Sequence, residues 1–126
     1  MVELIIVDDD PAIVRLLKRV AKRAGYGTRA VPNGEELFEA LESSTPDLIL
    51  LDLNMPRLDG VEVLKELARK EIRVPVMLVS GSGAETLESA ALMARVLGLD
   101  VRGVVRKPVD IARMERLLAE SHPSTR

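Results

Sequence analysis

The sequence predicts an α/β domain in which a parallel β-sheet is covered by helices on both faces. Three observations carry that prediction. Short apolar runs alternate with stretches of helical periodicity along the whole chain. The runs at residues 4–7, 48–51 and 74–79 are apolar almost throughout, as strands buried on both faces must be. Between successive runs there is room for a crossover helix, which a parallel pair needs. At 126 residues the chain fits one domain of ordinary size with a core of its own.

The elements follow in order. Leu4 to Val7 reads as a buried strand ending in acid. Asp10 is placed to cap a helix with Pro11 at its first position, and Ile13, Leu16, Leu17, Val20, Ala21 and Ala24 make its apolar stripe. Gly25 stands just past it, where a helix stop is favoured. Residues 27–31 form a weaker second strand. Asn33 with Glu36 marks a second helix start, faced by Leu37, Ala40 and Leu41. Leu48 to Leu51 is a strand stopped by Asp52. A loop through Pro56 and Gly60 leads to a helix with Val61, Leu64, Leu67 and Ala68 on its inner face. Residues 74–79 are the next buried strand, ending at Ser80, and Gly81-Ser82-Gly83 is a turn of little side-chain restraint. The fourth helix shows Leu87, Ala90, Ala91, Ala94 and Leu97, with Gly98 at its end. Residues 101–105 make the last strand, and Ile111, Met114, Leu117 and Leu118 mark the last helix. The expected domain runs over residues 1–120, with 121–126 a polar tail or the start of a linker.

Composition excludes several classes of function. A net charge of −2 offers no attractive field to nucleic acid or to an acidic membrane, so direct contact with either is not expected. There is no cysteine, hence no thiolate chemistry and no disulfide frame. No apolar run is long enough to span a bilayer, and no basic leader precedes the first strand, so a cytoplasmic protein is expected. Tyr26 and Phe38 are the sole aromatic residues, so the core must be aliphatic.

Chemistry is expected at the carboxyl ends of the strands, where sheets of this kind hold their sites. Strand one ends in Asp8-Asp9-Asp10, strand three in Asp52, strand four in Ser80 and strand five near Lys107. Each residue alone has an ordinary reading: an acid after a strand is a turn former or cap, a serine before Gly-Ser-Gly belongs to the turn, and a lysine is solvated. Their joint placement on ends far apart in sequence is what departs from chance. Asp8, Asp9 and Asp52 would crowd carboxylates that repel one another, so a cation is needed. An all-oxygen set without His or Cys favours Mg2+ or Mn2+. Lys107 adds an organic cation, and Asp52 can act as a nucleophile toward a phosphoryl donor, forming an acyl phosphate. Ser80 can donate to a phosphoryl oxygen, and a cis peptide before Pro108 is compatible with the sequence.

These residues resemble the receiver domains of two-component response regulators, of the chemotaxis-receiver kind. The matching segments are Ile5-Ile6-Val7-Asp8-Asp9-Asp10-Pro11, Leu50-Leu51-Asp52-Leu53-Asn54-Met55-Pro56 with Asp59-Gly60, Val79-Ser80-Gly81 and Arg106-Lys107-Pro108. The resemblance covers essentially the whole chain and implies a flavodoxin-like fold with strand order 2-1-3-4-5. It further implies Asp52 as phosphoacceptor, Asp9 as a direct metal ligand and Asp8 as one acting through water. The Asn54 backbone carbonyl would complete the metal set, Ser80 would be the conserved hydroxyl and Lys107 the invariant lysine. The implied donor is a sensor histidine kinase or phosphotransfer protein. The implied output is a conformational shift that controls a linked effector or a downstream protein, with dimerisation on phosphorylation as one form. A receiver assists only its own phosphorylation and dephosphorylation.

Two departures stand out. Val104 occupies the position, three before the lysine, where receivers usually carry Tyr or Phe. Its small side chain is expected to leave space that residues 92–103 partly fill. Ser80 and Lys107 stand 27 positions apart, a longer span than is usual in the family. The segment from Leu92 to Gly103 is similar to receivers that precede cyclic-di-GMP phosphodiesterase domains. Two other classes compete. A haloacid-dehalogenase-like phosphatase would use the same residue types, and Asp8-Asp9-Asp10 contains its Asp-x-Asp spacing, but no Ser or Thr follows at the expected place and no cap domain has room. A binding module with a degenerate site conflicts with the intact set Asp8, Asp9, Asp52, Ser80 and Lys107.

Overall fold

The computed structural model describes residues 2–54, 60–81 and 83–123. Met55, Pro56, Asp59 and Ser82, quoted above within motifs, lie outside the described residues. Strands β1 (Glu3–Val7), β2 (Gly27–Val31), β3 (Leu48–Asp52), β4 (Val76–Ser80) and β5 (Val101–Arg106) alternate with helices α1 (Pro11–Arg23), α2 (Gly34–Ser43), α3 (Gly60–Arg69), α4 (Ala84–Val96) and α5 (Ile111–Ser121). Every pairing is parallel and the sheet order is β2-β1-β3-β4-β5, the topology expected. The order reverses between β1 and β3, which places a crevice at their carboxyl ends.

Strand side chains alternate between the two faces of the sheet. Leu4, Ile6, Leu48, Leu50, Met77 and Val79 meet α1 and α5 through Leu17, Val20, Met114 and Leu118. Ile5, Val7, Ile49, Leu51, Val76 and Leu78 meet α2, α3 and α4 through Leu37, Val63, Leu64, Leu87 and Ala94. Both faces of β1, β3 and β4 are therefore covered, which is why those runs are apolar at every position. The outer strand β2 is only half-buried along its length, which explains its weak pattern.

Helix ends follow local chemistry. Asp10 accepts a hydrogen bond from the Ala12 amide at 2.9 Å, and Asn33 from the Glu36 amide at 2.9 Å. Gly25 and Gly98 take positive φ values of 92° and 91° and turn the chain out of α1 and α4. Some expectations need correction. β4 starts at Val76, not at residue 74, because Pro75 has no amide to donate. Leu97, placed on the inner face of the fourth helix, is 43% exposed at the helix end, and Leu99 turns back into the core in its place. Ile111 is 42% exposed, since burial along α5 starts one turn later with Met114. Ser121 and His122, expected in the polar tail, are packed: Ser121 is buried within α5, and the His122 ring lies edge-on to Tyr26 with centroids 4.9 Å apart.

Gly60 sets how closely α3 approaches the end of β3. A Cβ there would lie 2.5 Å from the Leu53 Cα and 3.0 Å from the Asp52 carbonyl oxygen. Backbone atoms cannot rotate away, so Gly60→Ala is expected to lose about 2–3 kcal/mol in urea unfolding. Gly81→Ala, with nothing among the described residues within 4 Å of the added carbon, should change stability by no more than about 0.5 kcal/mol. Equal losses at the two positions would contradict the close approach.

Candidate functional site

Four strand ends converge on one edge of the sheet. Asp8 follows β1, Asp52 closes β3, Ser80 closes β4 and Lys107 follows β5. Their backbones are held by the sheet's own hydrogen bonds: the Asp8 amide donates to the Val31 carbonyl at 3.1 Å and the Lys107 amide to the Ser80 carbonyl at 2.8 Å. The Lys107–Pro108 peptide is cis. The Asp10 amide donates to Asp8 Oδ1 at 2.9 Å, so the residue that caps α1 also orients the first acid.

Asp8, Asp52 and Ser80 are buried, at 3%, 2% and 0% exposure. Polar groups removed from water to that degree need partners. The Lys107 ammonium lies 3.2 Å from Asp8 Oδ2 and 3.4 Å from Asp52 Oδ2, bridging the two carboxylates. The Asn54 amide donates to Asp52 Oδ1 at 3.0 Å. Carboxylate oxygens of Asp8, Asp9 and Asp52 lie within 4.8 Å of one another, with Asp9 on the solvent side. Asp8 Oδ2 is buried, and its partner among the described residues is the Lys107 ammonium at 3.2 Å. This donor set, three carboxylates with no nitrogen or sulfur ligand among the described residues, fits a hard divalent cation.

The edge therefore unites five of the six residues singled out from sequence through side chains: Asp8, Asp9, Asp52, Ser80 and Lys107. The sixth, Asn54, was expected to contribute its backbone carbonyl. Its side chain has a contact that the sequence reading missed, since Ser80 Oγ donates to Asn54 Oδ1. Nothing in the sequence marks a bond across 26 positions between two short polar side chains.

This arrangement coincides with a sequence match. The model of the response regulator receiver domain covers residues 4–119. The chain belongs to that family. Among curated relatives, the receiver is 34% identical over 99 residues to the alkaline phosphatase synthesis transcriptional regulatory protein PhoP of Bacillus subtilis, covering 79% of this chain and 38% of the relative. It is 33% identical over 128 residues to the transcriptional regulatory protein CpxR of Klebsiella pneumoniae, covering 97% of this chain and 51% of the relative. The chain thus spans about half or less of these relatives. A response regulator from Colwellia psychrerythraea superposes with a TM-score of 0.82 at 32% identity, covering 94% of each chain. A receiver is a signalling domain and not an enzyme in the ordinary sense. Receivers bind Mg2+ at an acidic cluster, and such a cluster is present here. Among the described residues no helix is long and apolar enough to cross a membrane.

Val104 is half-buried and packs against the core beneath α4. Space remains open beside it, and Arg95 and Gly103 from the segment 92–103 line part of that region. A groove of about 340 Å³ remains, walled by Leu87, Val104, Pro108 and Arg113. Arg113 reaches over it from α5 and donates to the Val104 carbonyl at 3.0 Å. A larger cavity of about 590 Å³ opens at the opposite edge of the sheet, between Pro46, Asp47, Arg73 and Pro75, away from the acid cluster.

Burial raises the Asp52 carboxyl above its ordinary value, and the Asp8 charge adds to the rise. The Asn54 amide and Lys107 oppose it without cancelling it. Burial alone would lower Lys107, but the Asp52 and Asp8 carboxylates outweigh it and hold the ammonium above its ordinary value. Folded Asp52 thus binds its proton more tightly than unfolded Asp52, so its effect on stability grows less favourable as pH rises through the folded value. In metal-free protein at pH 7, Asp52→Asn should raise the melting temperature by about 3–6 °C, equivalent to about 1 kcal/mol. That gain should shrink as pH falls, because burial favours the protonated form of the wild-type carboxyl. A lower melting temperature in the variant at pH 7 would reverse the sign.

Proposed function

We propose that Asp52 accepts a phosphoryl group from a phosphohistidine of a sensor histidine kinase or phosphotransfer protein. The observation that carries this reading is the Lys107 ammonium lying between the buried carboxylates of Asp8 and Asp52 at 3.2 and 3.4 Å. An Asp52 oxygen attacks phosphorus. The phosphorus–nitrogen bond of the donor breaks, its electron pair stays on the imidazole nitrogen, and that nitrogen takes a proton. The product is an acyl phosphate on Asp52, which water later hydrolyses to inorganic phosphate and the free carboxylate.

Mg2+ or Mn2+ would be held by Asp9 and Asp52 directly, by Asp8 through water and by the Asn54 backbone carbonyl. Such an ion, when bound, neutralises charge on the transferring oxygens. Lys107, 3.4 Å from Asp52 Oδ2, supplies a second cation, and Ser80 donates to a phosphoryl oxygen of the product. The domain in this reading assists only its own phosphorylation and dephosphorylation. Its setting is the cytoplasm, where a kinase draws on ATP. The relatives named above are transcriptional regulators about twice as long or longer, so a linked effector or a downstream protein is the proposed target of the switch, with dimerisation on phosphorylation as one route.

Incubation with acetyl phosphate and Mg2+ should add one phosphoryl group by intact mass. The adduct should be absent in Asp52→Asn; an adduct persisting there would place the acceptor elsewhere. Asp9→Ala should weaken Mg2+ binding and slow phosphorylation by at least about tenfold. Undiminished metal affinity would remove Asp9 from the ligand set. Beryllofluoride, a phosphoryl mimic, should shift backbone NMR signals across residues 84–105, where α4 and β5 flank the Val104 groove. Shifts confined to the neighbourhood of Asp52 would rule out this output face.

A further inference from the structure

We propose that the Asn54 side chain holds the Ser80 hydroxyl in the unphosphorylated protein and competes with the phosphoryl group for its proton. The inference rests on the phosphoacceptor reading of Asp52 and deepens it. Ser80 Oγ donates to Asn54 Oδ1, and Ser80 is fully buried. A hydroxyl carries one proton, so it cannot donate to the amide oxygen and to a phosphoryl oxygen through good bonds at once. Phosphorylation therefore sets the gain of the new bond against the loss of the old one.

Geometry keeps the competitor in place. The Asn54 amide donates to Asp52 Oδ1 at 3.0 Å, so the backbone of Asn54 is tied to the carboxylate that receives the phosphoryl group. Ser80 is held from its other side, its carbonyl accepting from the Lys107 amide at 2.8 Å. With both backbones anchored, the hydroxyl changes partner by rotating its own side chain. Asn54 is exposed while Ser80 is buried, so removing the amide opens no cavity in the core. Asn54 is here a positioning residue: its side chain acts on the phosphoryl group only through Ser80.

The consequence is opposite to that of a supporting residue. Deleting the amide should favour the phosphorylated or mimic-bound state, and only when Ser80 is present to respond. Beryllofluoride with Mg2+ can be titrated into the wild type, Asn54→Ala, Ser80→Ala and the double variant, with backbone NMR as the readout. Asn54→Ala should bind beryllofluoride about 3- to 10-fold more tightly than wild type, the range set by the net worth of one neutral hydrogen bond. Adding Asn54→Ala to Ser80→Ala should change affinity by less than about twofold. In the ligand-free protein, the Ser80 Cβ resonance should move in Asn54→Ala, reporting the lost bond independently of affinity.

Unchanged or weaker binding in Asn54→Ala, with the wild type binding normally, would overturn the competition. That is the result expected if the amide nitrogen faced Ser80 and the hydroxyl accepted, leaving its proton available. An equal gain in the Ser80→Ala background would also overturn it, since the effect would not pass through the hydroxyl. A wild type that takes neither beryllofluoride nor a phosphoryl group at Asp52 would sink the phosphoacceptor reading, and this inference with it.

Discussion

Asp8 and Asp52 bring two carboxylates into the protein within reach, among the described residues, of one ammonium, that of Lys107, and the rest of the active edge is arranged around that imbalance. Removing an ion from water costs several kcal/mol, and one cation cannot fully compensate two anions. The excess is visible in the Asp52 carboxyl, which burial and the Asp8 charge push above its ordinary range despite Lys107 and the Asn54 amide. A domain that folds with this charge pattern is prepared to take up positive charge, which is the physical basis of metal-dependent phosphoryl transfer.

Such a cluster stands only because the strands beneath it are rigid. β1, β3 and β4 are covered on both faces, so their carboxyl ends sit at the end of a packed core and move little relative to one another. Gly60 adds a second restraint, letting α3 begin against the backbone of Leu53 directly beyond Asp52. Precision at the acids contrasts with the looser region around β5. There the usual aromatic ring is replaced by Val104, a groove stays open, and Arg113 spans it to a backbone carbonyl. A receiver built this way has a well-fixed chemical site beside a surface with space in which to rearrange.

The long separation between Ser80 and Lys107 does not disturb the site. α4 ends at Val96, the turn through Gly98 returns Leu99 to the core, and β5 still delivers Lys107 beside Ser80. The apolar side chains that the turn leaves outside, Val96 and Leu97, are the cost of that reversal.

The sequence by itself determined the alternation of strands and helices, because burial on both faces demands unbroken apolar runs and amphipathic helices demand a period near 3.6. It also placed Asp8, Asp9, Asp52, Ser80 and Lys107 at strand ends, where polarity after an apolar run is a local signal. Caps at Asp10 and Asn33 were legible for the same reason, since capping is chemistry between near neighbours. Errors fell where local periodicity met a boundary. Leu97 and Ile111 fit a helical stripe but lie at helix ends, where no facing element among the described residues covers them. Only the tertiary structure decided which groups share a proton or a charge. The bridge of Lys107 to both acids, the bond from Ser80 to Asn54, the seat of His122 on Tyr26 and the groove left beside Val104 join residues that no spacing relates. Such contacts are set by how sheet and helices pack in three dimensions, and that information is distributed over the whole core.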